Sequence, residues 1–414
     1  MFPFGEEAHK KKRGSEIIIR VREGGYEALR PTAAQFTATA PIARIPINNR
    51  KHNPMTFPIL HLTGTAYDQG VQHGQALQDQ ITHNLAVYFA RFEAEAGLPR
   101  TEVLNRASKY AGAIAGQNPA YFDGMRGAAD GSGFGLEEIA ALQVRYEILY
   151  YQYGRTSEDV DGCTAFAVLP EASANGHLLV GQNWDWIPQV KGAVLHTTDP
   201  DGFETLAFTE AGIVGGKIGF NSAGVALAIN GMMTTKDDWS TLAKPFHVRC
   251  YEILRSRDFD AAVSVVTSET RACSTNFLIA QTPDKVVDIE AAPEALRFLE
   301  CANGCLVHTN NFTNPEEIGV VEPVNPKREF SIGRRARLGA LLSARDTVSI
   351  ADIQTDLQDH LGYPYGICRH AAIGLEPPES HSITVTSIVM DVTDKTLLLT
   401  DGVPCENPFQ TVTL

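Results

Sequence analysis

A chain of 414 residues with 43% hydrophobic and 20% charged residues has the composition of a globular protein and can bury a substantial core. Its formal net charge of −14 argues against nucleic acid or an anionic membrane as a partner, because phosphate-binding surfaces need clustered Lys and Arg. No run of about eighteen apolar residues occurs, so the sequence predicts no membrane span.

The cysteines and the amino-terminal residues bear on the cellular compartment. The seven cysteines are odd in number and widely spread, which is not the pattern of a disulfide framework. The first thirty residues lack the apolar segment of a secretory signal, because Glu6, Glu7 and the basic run His9–Arg13 interrupt them. We therefore expect a cytoplasmic protein with reduced thiols, in which the basic run is a solvated tail.

The residues before position 163 follow two patterns. In residues 1–55 the apolar residues recur at neither helical nor strand spacing, and one stretch is rich in Pro, Thr and Ala. We therefore predict that these residues form an amino-terminal extension. From Tyr67 to Ala96 the apolar residues recur at helical spacing. Further helical patterns follow at 101–115, 119–130 and 136–154. Residues 56–162 are therefore predicted to form a mainly helical segment.

At Cys163 the pattern changes to short strands separated by Gly, Asn and Asp. These strands are predicted at 163–169, 177–186, 194–198, 204–210, 216–221 and 224–230. Helical patterns return at 246–256, 259–269, 334–345 and 350–359. More strands are predicted at 275–281, 285–291, 383–391 and 395–400. This order predicts a layered α+β architecture in which 163–414 is the strand-rich segment.

Two motifs at the start of the strand-rich segment carry the chemistry. Asp161–Thr164 reads Asp-Gly-Cys-Thr and heads one strand, and Gly181–Trp186 ends the next. If the two strands pair, the Asp185 carboxylate lies beside the Cys163 thiol. A cysteine at a chain start carries its own base, the α-amine, whose ordinary pKa is about 7.7–8.0. Cleavage at Gly162–Cys163 would create such a nucleophile, whereas a buried structural cysteine is the simpler alternative.

These motifs resemble the peptidase C45 family, the acyl-CoA:6-aminopenicillanic acid acyltransferase-like branch of the N-terminal nucleophile hydrolases. The family is related more distantly to choloylglycine hydrolase and acid ceramidase. The resemblance extends to Leu62–Gly64 with Gly70–Gly74, to Leu306–Phe312, to Ile367–His370 and to Thr384–Gly402. It covers residues 57–414 and leaves the amino-terminal extension outside.

The resemblance implies a four-layer αββα sandwich and autoproteolysis between Gly162 and Cys163. Residues 56–414 would then be one catalytic domain built from an α-fragment and a β-fragment. Cys163 is implied as the nucleophile and Asp185 as the carboxylate that orients its amine. Asn310 and Asn230 are implied as oxyanion-hole donors, for which simple turn residues are the alternative.

The remaining implied site residues are less specific. Arg369 is implied as a further catalytic residue, with a surface ion pair as the alternative. Thr164, Trp184 and Trp186 are predicted to contact substrate, although aromatic core packing accounts equally well for the two tryptophans. Gln182 stands where the bile-salt and ceramide branches carry arginine, so the acyltransferase branch is favoured and those substrates are not carried over.

The predicted enzyme is a self-processing cysteine amidohydrolase that cleaves a small N-acyl amide or peptide-like bond through an acyl-enzyme on Cys163. Acyl transfer from coenzyme A or an amide to an amine is the alternative. The expected partners are a small-molecule amide or acyl substrate and the two fragments of the precursor, with no cofactor and no metal. The sequence leaves open whether the protein forms a homo-oligomer.

Three other interpretations remain open at the level of sequence. The chain could be an unprocessed binding protein with the same fold. It could be a cysteine protease that uses His308 or His370 as its base. Cys301, Cys305 and His308 have ligand types that suit zinc, but the second pair at the usual spacing is missing, so a core strand with two thiols is favoured.

Overall fold

The computed structural model describes residues 57–156, 162–372 and 382–414, together with the backbone of a two-residue strand, β1 (Glu16–Ile17). The predicted amino-terminal extension otherwise lies outside the described residues, as does Asp161 of the first motif. No helix in the described ranges combines the length and the apolar character that crossing a membrane would require.

Strand β2 (Ile59–Thr63) leads into the helical segment that the sequence predicts. The helices are α1 (Ala66–Ala76), α2 (Gln78–Ala94), α3 (Arg100–Gln117), α4 (Pro119–Ser132), α5 (Leu136–Gln143) and α6 (Arg145–Thr156). The single helix predicted from Tyr67 to Ala96 is two helices that meet at Leu77. Leu77 is fully buried, so the apolar pattern continues across the break and could not reveal it.

The glycines of the Gly70–Gly74 motif serve packing. Helices α1 and α4 lie so close that a Cβ added at Gly70 or Gly74 would overlap the backbone of α4. A Cβ added at Gly127 or Gly131 of α4 would overlap the backbone of α1 in the same way. The motif therefore sets the distance between two helices of the segment before Cys163.

The strand-rich segment alternates strands with two helical pairs. It contains β3 (Thr164–Val168), β4 (Leu179–Trp186), β5 (Gly192–Thr198), β6 (Glu204–Glu210), β7 (Ile218–Asn221) and β8 (Val225–Gly231). Next come α7 (Phe246–Arg255), α8 (Phe259–Thr267), β9 (Thr275–Gln281), β10 (Lys285–Ala291), β11 (Leu296–Leu299) and β12 (Cys305–His308). The chain closes with α9 (Arg328–Ser343), α10 (Ile350–Asp356), β13 (Ile383–Asp391), β14 (Thr396–Leu399) and β15 (Gln410–Thr413).

The strands form two sheets. The larger has the order β1-β11-β10-β9-β8-β7-β6-β5-β2 and is antiparallel except for the parallel pair of β2 and β5. The smaller has the order β12-β3-β4-β13-β14-β15 and is antiparallel throughout. Strands β11 and β15 were not predicted, because four residues are too few for a pattern to stand out.

The two sheets pack face to face, with β3 and β4 against β8 and β9. Helices α7 and α8 cover the outer face of the larger sheet, and α9 and α10 cover the smaller one. The predicted four-layer αββα sandwich is therefore confirmed. Helix α9 begins at Arg328, earlier than predicted, because its first turns leave Phe330 and Ile332 partly exposed and break the apolar period.

Candidate active site

The strand with the candidate nucleophile pairs as the sequence predicts. Strands β3 and β4 are antiparallel neighbours, with Thr164 opposite Asn183. Cys163 stands directly before β3, is fully buried, and belongs to the apolar core between the two sheets. Its thiol lies 3.7 Å from the backbone oxygen of Asp185 and donates a hydrogen bond to it. The hairpin thus brings the two motifs together.

Gly162 lies between the two charged side chains that the sequence assigned to the site. A Cβ added there would lie 2.5 Å from Arg369 Nη1 and 2.6 Å from Asp185 Oδ2. Gly162 is absent from the glycines with positive φ. The position therefore requires a small residue because of space, and not because of a positive φ.

The Asp185 carboxylate is held from the neighbouring strand. Thr384 pairs with Asp185 across β13 and β4 and donates its hydroxyl to Asp185 Oδ1 at 2.7 Å. A register shift follows between Thr384 and Thr386, as is common beside active sites. The same hydroxyl accepts a hydrogen bond of 2.9 Å from Arg369 N. Arg369 is only 4% exposed, so the structure places it at Gly162 and not in a surface ion pair.

Asn230 is oriented by two donors. Its Oδ1 accepts hydrogen bonds from Asn276 Nδ2 and from His308 Nδ1, each at 3.2 Å. Asn276 is itself fixed, because its amide donates to Asp288 Oδ1 at 2.5 Å. Asn230 Nδ2 is buried and has no hydrogen-bond partner in the described part of the chain. An unsatisfied buried donor costs about 1–3 kcal/mol, so this amide has a hydrogen bond to offer to a group that enters the site.

His308, an alternative base in the sequence analysis, is occupied elsewhere. It is fully buried, and its Nε2 lies 2.9 Å from Glu290 Oε1 while its Nδ1 faces Asn230. Both ring nitrogens therefore have partners. The geometry makes His308 a support for the Asn230 amide.

Asn310 joins the end of β12 to β8 and α9. Its Nδ2 donates to Gly231 O at 3.1 Å, which brings Asn310 next to Asn230. Its Oδ1 accepts from Arg334 Nη2 at 2.9 Å, and Arg334 Nε donates to Thr164 Oγ1 at 3.3 Å. Thr164, predicted to contact substrate, is buried and bonded to this arginine. Sequence reasoning missed Arg334, because nothing distinguishes it from the other arginines of α9.

Gln182 is a second residue whose contribution the sequence did not reveal. Its Oε1 accepts a hydrogen bond of 2.7 Å from Ile229 N on the facing sheet. That bond orients the amide, and Gln182 Nε2 is buried with no partner in the ranges that the structure describes. Two oriented, unsatisfied amide donors, those of Gln182 and Asn230, therefore lie in the space between the sheets.

The two tryptophans of β4 pack in the core over a buried ion cluster. Trp184 and Trp186 are each 2% exposed. Lys217 Nζ lies 3.3 Å from the centre of the Trp184 ring and 2.5 Å from Glu210 Oε1. Arg145 lies over Trp186 and also pairs with Glu210. Substrate contact by the tryptophans stays a prediction, because core packing accounts for their described contacts.

The ion cluster gives the Cys163 thiol a positive neighbour. Burial lowers the pKa of Lys217 to about 8, and Glu210 opposes this effect. Burial disfavours the Glu210 carboxylate, but Arg145 and Lys217 outweigh it and hold the pKa of Glu210 well below its usual range. The Lys217 ammonium also interacts electrostatically with Cys163. A positive charge near a thiol favours its thiolate form.

The zinc site considered for Cys301, Cys305 and His308 does not form in the described part of the chain. Cys301, Cys305 and His308 are not among the groups of described residues whose ligand atoms converge. Cys305 and His308 occupy the ends of β12, three positions apart, so they face opposite sides of the sheet. The favoured alternative, a core strand with two thiols, is also wrong: Cys305 begins β12, whereas Cys301 lies before that strand, and both thiols are only partly buried.

Comparison with known proteins agrees with the resemblance in the motifs. The sequence profile of the family described as acyl-coenzyme A:6-aminopenicillanic acid acyl-transferase matches residues 172–402, more than half of the chain. The chain belongs to this family. It is therefore an enzyme, a hydrolase or acyltransferase that acts on acyl or amide bonds.

The individual proteins that this chain resembles share less than 30% sequence identity with it. The chain is 28% identical over 359 residues to the acyl-coenzyme A:6-aminopenicillanic-acid-acyltransferase 40 kDa form of Emericella nidulans, covering 85% of this chain and 95% of the relative. The structure is similar to that of a conjugated bile acid hydrolase variant from Clostridium perfringens, with 12% identity and a TM-score of 0.43, over 61% of this chain and 92% of the other. It is also similar to an N-acylethanolamine-hydrolyzing acid amidase ortholog from Caenorhabditis elegans, with 15% identity and a TM-score of 0.40, over 56% of this chain and 93% of the other.

Proposed function

We propose that this chain is a precursor that cleaves its own Gly162–Cys163 bond and then hydrolyses a small N-acyl amide through an acyl-enzyme on Cys163. The observation that carries the proposal is the convergence of Asp185 and Arg369 on Gly162, the residue before the buried thiol. The carboxylate and the guanidinium leave no room for a side chain at this position, so both charged groups lie next to the bond that would be cleaved.

Self-cleavage needs only groups of the chain and one water. The Cys163 sulfur attacks the carbonyl carbon of Gly162, and the C–N bond breaks to leave a thioester and a free Cys163 amine. Water then hydrolyses the thioester, which gives a Gly162 carboxylate and restores the thiol. The Asp185 carboxylate, held by Thr384, is placed to orient the new ammonium group.

Turnover would use the same atoms. The Cys163 α-amine takes the thiol proton, and the sulfur attacks the substrate carbonyl. The oriented Nδ2 of Asn230 and the amide of Asn310 stabilise the oxyanion, and loss of one such donor typically reduces the rate about 10²–10³-fold. The amine product leaves with a proton from the α-ammonium group, and water releases the acyl group.

Acyl transfer to an amine is the second candidate. The description of the matched family, and that of the Emericella nidulans relative, name an acyltransferase that uses acyl-coenzyme A. The two reactions share the acyl-enzyme and differ only in whether water or an amine accepts the acyl group. Exclusion of water from the site favours transfer.

Intact-mass analysis of the purified protein tests self-cleavage. We expect two fragments, the second beginning at Cys163, and a single uncut and inactive chain for Cys163→Ala. The matched control is Cys305→Ser, which should be cleaved like the parent. A parent chain that is uncut yet active contradicts the proposal. Product mass from N-acyl amides, and from acyl-CoA donors with amine acceptors, then separates hydrolysis from transfer.

A further inference from the structure

Four metal-binding side chains meet in the loops next to the candidate site. His360, Cys368, His370 and Cys405 each offer one ligand atom, and these atoms all lie within 4.8 Å of one another. His360 Nε2 lies 3.1 Å from His370 Nε2. Cys368 Sγ and Cys405 Sγ lie 3.5 Å and 3.4 Å from His370 Nε2. None of the four side chains has a part in the proposed chemistry.

We propose that these four residues bind a structural zinc ion. Zinc in proteins is tetrahedral, with Zn–N of about 2.0–2.1 Å and Zn–S of about 2.3 Å. The edges of such a tetrahedron are about 3.3 Å between two nitrogens and about 3.6 Å between nitrogen and sulfur. The measured distances of 3.1, 3.5 and 3.4 Å match these edges.

The donor set selects zinc and a structural role. Two thiolates and two imidazoles form a set that soft or borderline ions prefer, and calcium or magnesium would need oxygen ligands instead. Four protein ligands fill the tetrahedron, so no position stays open for water or substrate. Cys368 is buried and the other three are partly buried, so the ion would be shielded from solvent.

The ligands connect separate parts of the chain. His360 follows α10, Cys368 and His370 lie on the loop before β13, and Cys405 lies between β14 and β15. Backbone hydrogen bonds already shape this loop, because Cys368 N donates to Asp359 O at 3.0 Å and His370 N to Pro364 O at 2.9 Å. An ion held by all four side chains would tie the two loops to each other.

The ion would also position Arg369, which stands between two of its ligands. The Arg369 backbone is bonded to Thr384, and its guanidinium reaches the position of a Cβ on Gly162. Fixing Cys368 and His370 restricts the backbone on both sides of Arg369. This consequence rests on the proposed self-cleavage, whereas binding of zinc does not.

Metal analysis of the full-length Cys163→Ala chain tests the site without any dependence on cleavage. We expect about one zinc per chain by elemental analysis, and after cobalt(II) replacement the visible and thiolate charge-transfer bands of a tetrahedral site. Cys405→Ser and His360→Ala should each lose the zinc and these bands. The matched control is the double variant Cys301→Ser, Cys305→Ser, which removes two other thiols and should keep the zinc.

Several results would overturn the proposal. The first is a folded parent chain that stays free of zinc after incubation with zinc and dialysis. The second is a loss of zinc in the control variant equal to that in the ligand variants. The third is a Cys368–Cys405 disulfide in the peptide map of the untreated protein. If the ligand variants fail to fold, titration of the folded parent with a mercurial reagent replaces them. Zinc release in step with modification of Cys368 and Cys405 supports the site, and modification without release contradicts it.

Discussion

The hydroxyl of Thr384 donates a 2.7 Å hydrogen bond to Asp185 Oδ1, across the pair of strands β13 and β4. It also accepts a hydrogen bond of 2.9 Å from the backbone of Arg369. A single buried hydroxyl thus connects the Asp185 side chain to the backbone of Arg369, and both residues lie beside Gly162. The relative positions of Asp185 and Arg369 at the candidate cleavage site therefore depend on the Thr384 hydroxyl.

We expect Thr384→Val to reduce the rate of self-cleavage roughly 10–100-fold, because a buried hydrogen bond to a charged group is worth about 1.5–3 kcal/mol. Time-resolved intact mass after expression measures the uncut fraction. Thr386→Val is the matched control, since the Thr386 hydroxyl is buried without a partner in the described ranges and its loss should be neutral. Equal rates for both variants would remove Thr384 from the proposed machinery.

Gly162→Ala should block self-cleavage. Its Cβ would lie 2.5 Å from Arg369 Nη1 and 2.6 Å from Asp185 Oδ2, so the carbonyl or both side chains must move. A displacement of about 1 Å at a reacting centre can reduce a rate about 10²-fold. Gly112→Ala in helix α3 is the control, because no atom lies within 4 Å of its added Cβ. Intact mass distinguishes them: uncut chain for Gly162→Ala and normal fragments for Gly112→Ala.

Asn230→Asp should reduce kcat about 10²–10³-fold in the cleaved enzyme, the usual effect of removing one oxyanion donor. The substitution keeps an oxygen for Asn276 and His308 and replaces the Nδ2 donor with a carboxyl oxygen, which cannot donate to an oxyanion when it is ionised. Steady-state kinetics on an N-acyl amide substrate provides the measurement, with thermal melting to verify the fold. A folded variant with kcat close to that of the parent would exclude Asn230 from the oxyanion hole.

Glu147 should make stability depend on pH. Its side chain is buried, with Oε1 accepting from Phe246 N at 2.6 Å and Oε2 without a partner in the described chain. Burial raises the pKa of Glu147 to about 7 from 4.5. Between pH 4.5 and about 7 the folded state therefore keeps a proton on Glu147 that the unfolded state has already released. As a result, the free energy of unfolding falls as the pH rises through this range. The loss amounts to about 3 kcal/mol.

Glu147→Gln should remove this loss. In the uncut Cys163→Ala background, we expect the variant to match its parent at pH 4 and to be more stable by about 3 kcal/mol at pH 8. Urea unfolding at both pH values measures the difference. Glu137→Gln changes an exposed carboxyl on α5 and serves as the control with little effect. A Glu147→Gln benefit that is equal at both pH values would show that the carboxyl does not titrate as expected.

Local patterns in the sequence predicted most of the elements and the central pair of the site. The amphipathic periods located the helices, and the short apolar runs located β3 and β4. Because strands that are consecutive in sequence are usually neighbours in a sheet, the proximity of Cys163 and Asp185 could be predicted from the order of these two strands. The break at Leu77 was not predictable, because a buried residue leaves the period unchanged.

The support of the site came only from the tertiary structure. Thr384 reaches Asp185 from a strand that is distant in sequence, and Arg334 joins Thr164 to Asn310 from a helix in the outer layer. The four proposed zinc ligands also have no recognisable spacing along the chain. The sequence by itself determined the layered fold class and the pairing of β3 with β4, because both depend on short-range periodicity and on strand order. Only the packing of the four layers decided which distant polar side chains meet, because burial forces those groups to find partners wherever the layers touch.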